Sequence, residues 1–209
     1  QVTFDGVTGA ASSVQSTGQF LTTPAAPGMS PQGVVASYID RHKELFGHSA
    51  EALKTARVTR EDVTKHNGMH TLVWNQQVDG VPVFKTILRA NVTKTGQLVT
   101  VGSHFMHDAL AATGMTAEQR TAMLSTLPMQ AERAIVLAAA SLNDTVTENA
   151  ILTQGDAMGA ERQQRFEAPG LSDTSAQLTY MPMNENTLRL GWDITTFSLS
   201  NDEMFRLVV

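Results

Sequence analysis

Cysteine is absent from the chain, so neither a disulfide framework nor a thiolate metal site is open to it. That absence does not fix a compartment, because exported proteins can also lack cysteine. Charge is sparse as well: charged residues make up 17% and the formal balance is -5, with the 15 Lys and Arg residues spread along the chain. Phosphate backbones and anionic lipid surfaces need a clustered basic stripe, so nucleic acid and membrane surfaces are excluded as partners. Long apolar runs are missing too. The longest, from Ala134 to Leu142, falls far short of the roughly 20 residues a membrane-crossing helix needs. Within these limits, 209 residues suffice to bury roughly 70% of the unfolded surface, as one elongated domain or two small ones.

Catalytic motifs are equally scarce. HExxH, which sets two histidines on one helical face beside a water-activating glutamate, does not occur. The nearest text, His42-Lys43-Glu44-Leu45-Phe46-Gly47-His48, has its histidines six apart and reads as a solvated helix end. His66 with His70, and His104 with His107, are pairs beside turns without an evident third ligand, and read as polar rim residues. Gly102-Ser103-His104 lacks the second glycine of a nucleophile elbow, so Ser103 reads as a strand serine. No glycine-rich phosphate loop is present. Asp156, Glu161, Asp202 and Glu203 are isolated loop acids that read as solvated. Trp74 and Trp192 sit in alternating runs and are expected as core anchors, and the ten methionines as gap fillers.

The positive content is a regular order of elements. Residues 1–29 are rich in Gly, Ser, Thr and Ala without a sustained period, and are expected to form an extended arm. Ser30 and Pro31 supply an N-cap and a first helical residue for an amphipathic helix closed by Gly47, with one further turn over Ser49 to Leu53. Four strands of an antiparallel meander are then expected between Arg57 and Phe105. His66-Asn67-Gly68, Asp79-Gly80 and Lys94-Thr95-Gly96 mark its turns. Adjacent apolar Val83 and Phe84 break the alternation and predict a bulge or a partly covered second face.

After a boundary near residue 110, Thr116 and Gln119 form a capping box for a helix ending before Pro128, and Met129 to Leu142 is a second, alanine-rich helix. Residues 148–175 read as irregular. Strands are expected over Gln177 to Met181, Thr187 to Phe197 and Glu203 to Val209. The fold class is α+β, as two consecutive modules of helix followed by antiparallel sheet, over residues 30–110 and 111–209. The start at Gln1 is expected to reflect processing or excision, with any export signal removed, and the strand-like end at Val209 suggests that the natural chain continues.

Phe20-Leu21-Thr22, the helix end Glu44-Leu45-Phe46-Gly47, the hairpin text QQVDGVPVF over Gln76 to Phe84, and Gly96-Gln97-Leu98-Val99-Thr100-Val101-Gly102 form a connected pattern. It resembles the fungalysin/thermolysin propeptide domain. Residues 111–209 resemble, more loosely, the PepSY-like half of such propeptides, in a cystatin/PepSY-like fold. The resemblance implies the pro-region of a secreted zinc metalloendopeptidase, acting as chaperone and inhibitor of a catalytic domain that lies outside this sequence. Zinc is expected in that domain and no cofactor in this chain. The implied partner is the cognate catalytic domain, and the alternative is a stand-alone exported binding module of the same fold. No catalytic or metal residue is expected here. Gln76, Asp79, Gly80, Pro82, Val83 and Phe84 are expected as structural hairpin residues that could also meet the partner.

Overall fold

A computed structural model describes all 209 residues, with six α-helices and eleven strands in a mixed α+β arrangement. Contacts divide the chain into two compact units. The first comprises Gln1–Val78, Val83–Thr113 and Pro182–Leu188; the second comprises Asp79–Pro82, Gly114–Met181 and Arg189–Val209.

In the first unit, α1 (Pro31–Arg41) begins where the Ser30 hydroxyl accepts the Gly33 N–H at 3.1 Å, with Pro31 in the first turn. Its inner stripe buries Val34, Val35, Tyr38 and Ile39. His42 interrupts the helix before α2 (Lys43–Phe46), which Gly47 closes in the left-handed region at φ 72°. The short α3 (Glu51–Thr55) leads into β3 (Arg57–Thr64), β4 (Met69–Val78), β5 (Val81–Val92) and β6 (Leu98–Ser103), followed by the single turn α4 (Ala109–Ala112). β3 lies beside β4, β4 beside β5 and β5 beside β6, the neighbour pairing of the expected meander. Val35, Ile39 and Phe46 pack with Leu72, Trp74, Leu88, Val101 and Phe105 in one core. Each such side chain contributes about 1.5–3 kcal/mol on burial.

The predicted bulge is present in β5. Buried positions run Val81 and Val83, then shift phase to Thr86, Leu88, Ala90 and Val92. Lys85 takes up the extra residue at φ 57°, and the Thr86 hydroxyl donates to the Val83 carbonyl at 2.9 Å.

The N-terminal segment is more than an arm. Residues 1–29 carry β1 (Val2–Phe4) and β2 (Ala11–Gln15), which pair with each other, and β2 continues the sheet beside β6 through Val14↔Val101 and Gln15↔Thr100. β2 and β6 come so close that a Cβ on Gly102 would lie 2.0 Å from the Ser12 carbonyl oxygen. Gly102 therefore serves strand approach, and the serine after it has a structural neighbour.

In the second unit, α5 (Ala117–Ser125) opens on the full capping box of Thr116 and Gln119, and α6 (Ala131–Ser141) buries Ala131, Ala134, Ile135, Ala138 and Ala139. The span expected to be irregular contains a short 3₁₀ turn, two strands, β7 (Leu152–Met158) and β8 (Gln163–Ala168), and the start of a third at Leu171. All seven residues of β7 are exposed, so it has no inward face to give an alternating pattern. β9 (Leu171–Asn184), β10 (Thr187–Ser198) and β11 (Glu203–Val208) follow. Trp192 is buried and its indole N–H donates to the Met129 carbonyl at 3.0 Å. Trp74 is buried in the first unit, so both tryptophans act as core anchors.

Candidate functional site

The hairpin from Gln76 to Phe84 is built from residues with internal partners. Gln76 is buried on β4, and its side-chain amide pairs with the main chain of Met106 in both directions. Nε2 donates to the Met106 carbonyl at 2.9 Å, and Oε1 accepts the Met106 N–H at 2.8 Å. A side chain thus satisfies backbone groups that leave the ladder after β6. Asp79 and Gly80 have φ of 51° and 81°, the two positive values of a type I′ turn, which matches the right-handed twist of the flanking strands.

Three of the motif residues lie in the second unit. The Asp79 carboxylate accepts from Arg120 Nε at 2.6 Å and, more weakly, from Nη2 at 3.5 Å, while Arg120 Nη1 donates to the Met115 carbonyl at 3.0 Å. This bonding holds the guanidinium, which is 7% exposed, above its ordinary pKa despite burial. A Cβ on Gly80 would lie 2.8 Å from Ala160 Cβ. Pro82, which has no N–H to give a ladder, offers its carbonyl to the Thr179 hydroxyl at 3.1 Å. Val83 and Phe84 return to the first unit, Val83 fully buried and Phe84 half-buried with Lys85 Nζ 5.3 Å from its ring centroid. The six expected hairpin residues fall within a nine-residue stretch, Gln76 to Phe84, but do not share one set of partners.

Two polar pairs escaped the sequence reading. His48 is 5% exposed, and so is not the solvated helix end expected. Its Nε2 meets the fully buried Ser103 Oγ at 2.8 Å, and its Nδ1 meets the Ser49 carbonyl at 3.1 Å. This is no nucleophile: the hydroxyl has no access to a substrate, and the histidine is oriented by a carbonyl in place of a carboxylate. The second pair joins His104 Nδ1 to Asp5 Oδ2 at 2.7 Å. No three His, Asp or Glu side chains converge in a way that could hold a metal ion.

Residues 54–105 match the model of the Fungalysin/Thermolysin Propeptide Motif. This segment is a fungalysin/thermolysin propeptide motif. It spans about a quarter of the chain, from the end of α3 through the meander to Phe105, and fits the N-terminal propeptide of a fungalysin-family peptidase. The propeptide motif implies association with a peptidase catalytic domain. No curated protein matches the chain. No helix is long and apolar enough to cross a membrane.

Proposed function

We propose that the chain is the propeptide region of a secreted fungalysin-like zinc metalloendopeptidase, serving as intramolecular chaperone and inhibitor of the catalytic domain and lacking peptidase activity of its own. The observation that carries this reading is the propeptide motif at residues 54–105, which falls on a four-stranded meander whose core is completed by α1, α2 and β2. The second unit, with two helices and five strands, suits the PepSY-like half of a two-module, cystatin/PepSY-like pro-region. A propeptide needs a stable scaffold and docking surfaces, and no reactive groups of its own. The burial of Ser103 and the internal pairing of His48 agree with that requirement. A scaffold that binds the folding peptidase more tightly than its unfolded chain lowers the barrier to maturation, and the same contacts inhibit once they cover the cleft.

Titration calorimetry of the chain against the purified peptidase domain encoded with it tests this reading. Binding with a stoichiometry of one and slowed hydrolysis of casein are expected. No binding at tens of micromolar would overturn the inhibitor reading in favour of a stand-alone exported module, and chelator-sensitive cleavage by the chain alone would overturn the non-catalytic one.

A further inference from the structure

We propose that His48 is an acid-sensitive latch in the first unit, which in its neutral form helps to hold the end of β6 and the residues after it against α2 and α3 and on protonation loosens them. The ring sits at the wall of a cleft of about 860 Å³ that is also lined by Gln76, His107 and Leu110. Phe46 and Phe105 flank it, with ring centroids at 6.1 and 5.4 Å.

The hydrogen bonds match a neutral ring. The Ser49 carbonyl can only accept, so Nδ1 carries the proton, and Nε2 accepts from the Ser103 hydroxyl. Ser103 Oγ in turn accepts the Phe105 N–H at 3.1 Å. A second proton on Nε2 would point at the hydroxyl hydrogen. The hydroxyl would then have to turn and find a new acceptor at a fully buried site. Burial is the main influence that lowers the His48 pKa below its ordinary value, opposed by the bond to Ser49 and assisted by repulsion from His107.

The charged and titratable groups around the latch do not offset this. Lys43 and Glu44 of α2, Glu51 of α3, and His107 and Asp108 after β6 line the same cleft, yet both ring nitrogens of His48 bond to neutral groups. Glu51 is engaged by Lys54 at 2.6 Å, the Asp108 carboxylate accepts the Ala111 N–H at 2.9 Å, and Asp40 of α1 accepts the Ala50 N–H at 2.7 Å. Residues 103–106 are held by His48 through Ser103, by the His104 N–H to the Ile87 carbonyl at 2.8 Å, by His104 Nδ1 to Asp5 at 2.7 Å, and by Gln76 through Met106. Losing the first unpins the Ser103 hydroxyl, to which the Phe105 N–H is bonded, and weakens the end of the propeptide motif at that point.

The sign follows from proton counting. A folded-state pKa below the unfolded value of about 6.5 makes the latch's contribution complete above that pH. The unfolded chain binds the extra proton as pH falls, so the folding constant drops by up to about ten-fold per pH unit until the folded pKa is reached. On the propeptide reading, mild acid would thereby loosen the inhibitor from its peptidase; the latch itself does not depend on that reading.

The test uses the full chain alone. Urea unfolding between pH 7.5 and 5 should show a fall in the folding constant that His48→Gln removes and His107→Gln largely keeps. Amide exchange at Phe105 and Met106, corrected for intrinsic pH dependence, should rise in the same window. Should His48→Gln fail to fold, NMR titration of the native His48 imidazole decides, with its pKa expected below the ordinary histidine value. An unchanged pH slope in a folded His48→Gln chain, or a native His48 that titrates at the ordinary value, overturns the latch. A functioning latch in a chain that binds no peptidase would instead count against the propeptide reading alone.

Discussion

Gly80 is the most constrained backbone position of the hairpin, and Gly80→Ala separates the two reasons for it. With φ at 81°, alanine would meet the left-handed steric penalty of about 1–2 kcal/mol. Its new Cβ would also stand 2.8 Å from Ala160 Cβ, a contact that only backbone movement can relieve, because alanine has no flexible end to swing aside. Ala160 lies in the exposed turn between β7 and β8, so this second penalty should be modest, about 0.5–1.5 kcal/mol. Gly80→Ala should therefore destabilise by about 1.5–3.5 kcal/mol in urea unfolding, with the slope of the transition unchanged. Adding Ala160→Gly removes the clash and leaves the dihedral strain, so the double mutant should recover about 0.5–1.5 kcal/mol relative to the sum of the single changes. A loss below about 0.5 kcal/mol for Gly80→Ala would refute the strained turn. Strict additivity in the cycle would refute the packing of the tip against Ala160.

The bulge at Lys85 gives a second comparison of the same kind. Lys85→Gly and Lys85→Val both remove the ammonium from Phe84, so their difference isolates the positive φ, and the valine variant should be less stable by about 1–3 kcal/mol in thermal unfolding. Asp5 predicts an acid effect. Although burial raises its pKa, the Thr8 N–H, His104, the Val7 N–H and the Thr8 hydroxyl together lower it to about 2 from 3.8. A depressed carboxylate stabilises above its unfolded pKa, so about 2 kcal/mol should be present at pH 5 and lost as pH falls from about 4 to 2. Asp5→Asn should abolish that loss in the stability of the β1–β2 hairpin, read by amide exchange; an unchanged acid profile would show that the Asp5 pairing is not formed in solution.

Much of this fold could be read locally. Ser30-Pro31, Gly47, Asp79-Gly80, Gly96 and the Thr116–Gln119 box each determine geometry within four residues, and each is found in the expected role. The phase break at Val83-Phe84 likewise announced the bulge, although not that Lys85 would hold the positive φ. What escaped depends on distant partners. β2 is only five residues long and gains its place from β6, some 85 residues later, while β7 has no buried face from which alternation could arise. His48 looked solvated because its text is that of a helix end, and only Ser103, 55 residues on, makes it a core group. Arg120 had no local signal either, since its carboxylate lies 41 residues earlier at the hairpin tip.

These long-range pairs bear on what the motif is for. Gln76 is committed to Met106, Asp79 to Arg120, Gly80 to a tight turn and Pro82 to Thr179, while Val83 is fully buried. A side chain whose polar atoms are already matched gains little from a partner, because each new bond must replace an existing one. These internal commitments favour the reading in which the text that makes the segment recognisable specifies the scaffold. A docking surface for a peptidase should instead be drawn from residues with exposed apolar area or uncommitted polar groups. Turn-tip substitutions would then weaken partner binding only in proportion to the stability they remove, whereas a true contact residue would lower affinity in a chain that melts normally. That difference between the two responses is what distinguishes a motif that builds an inhibitor from one that touches its target.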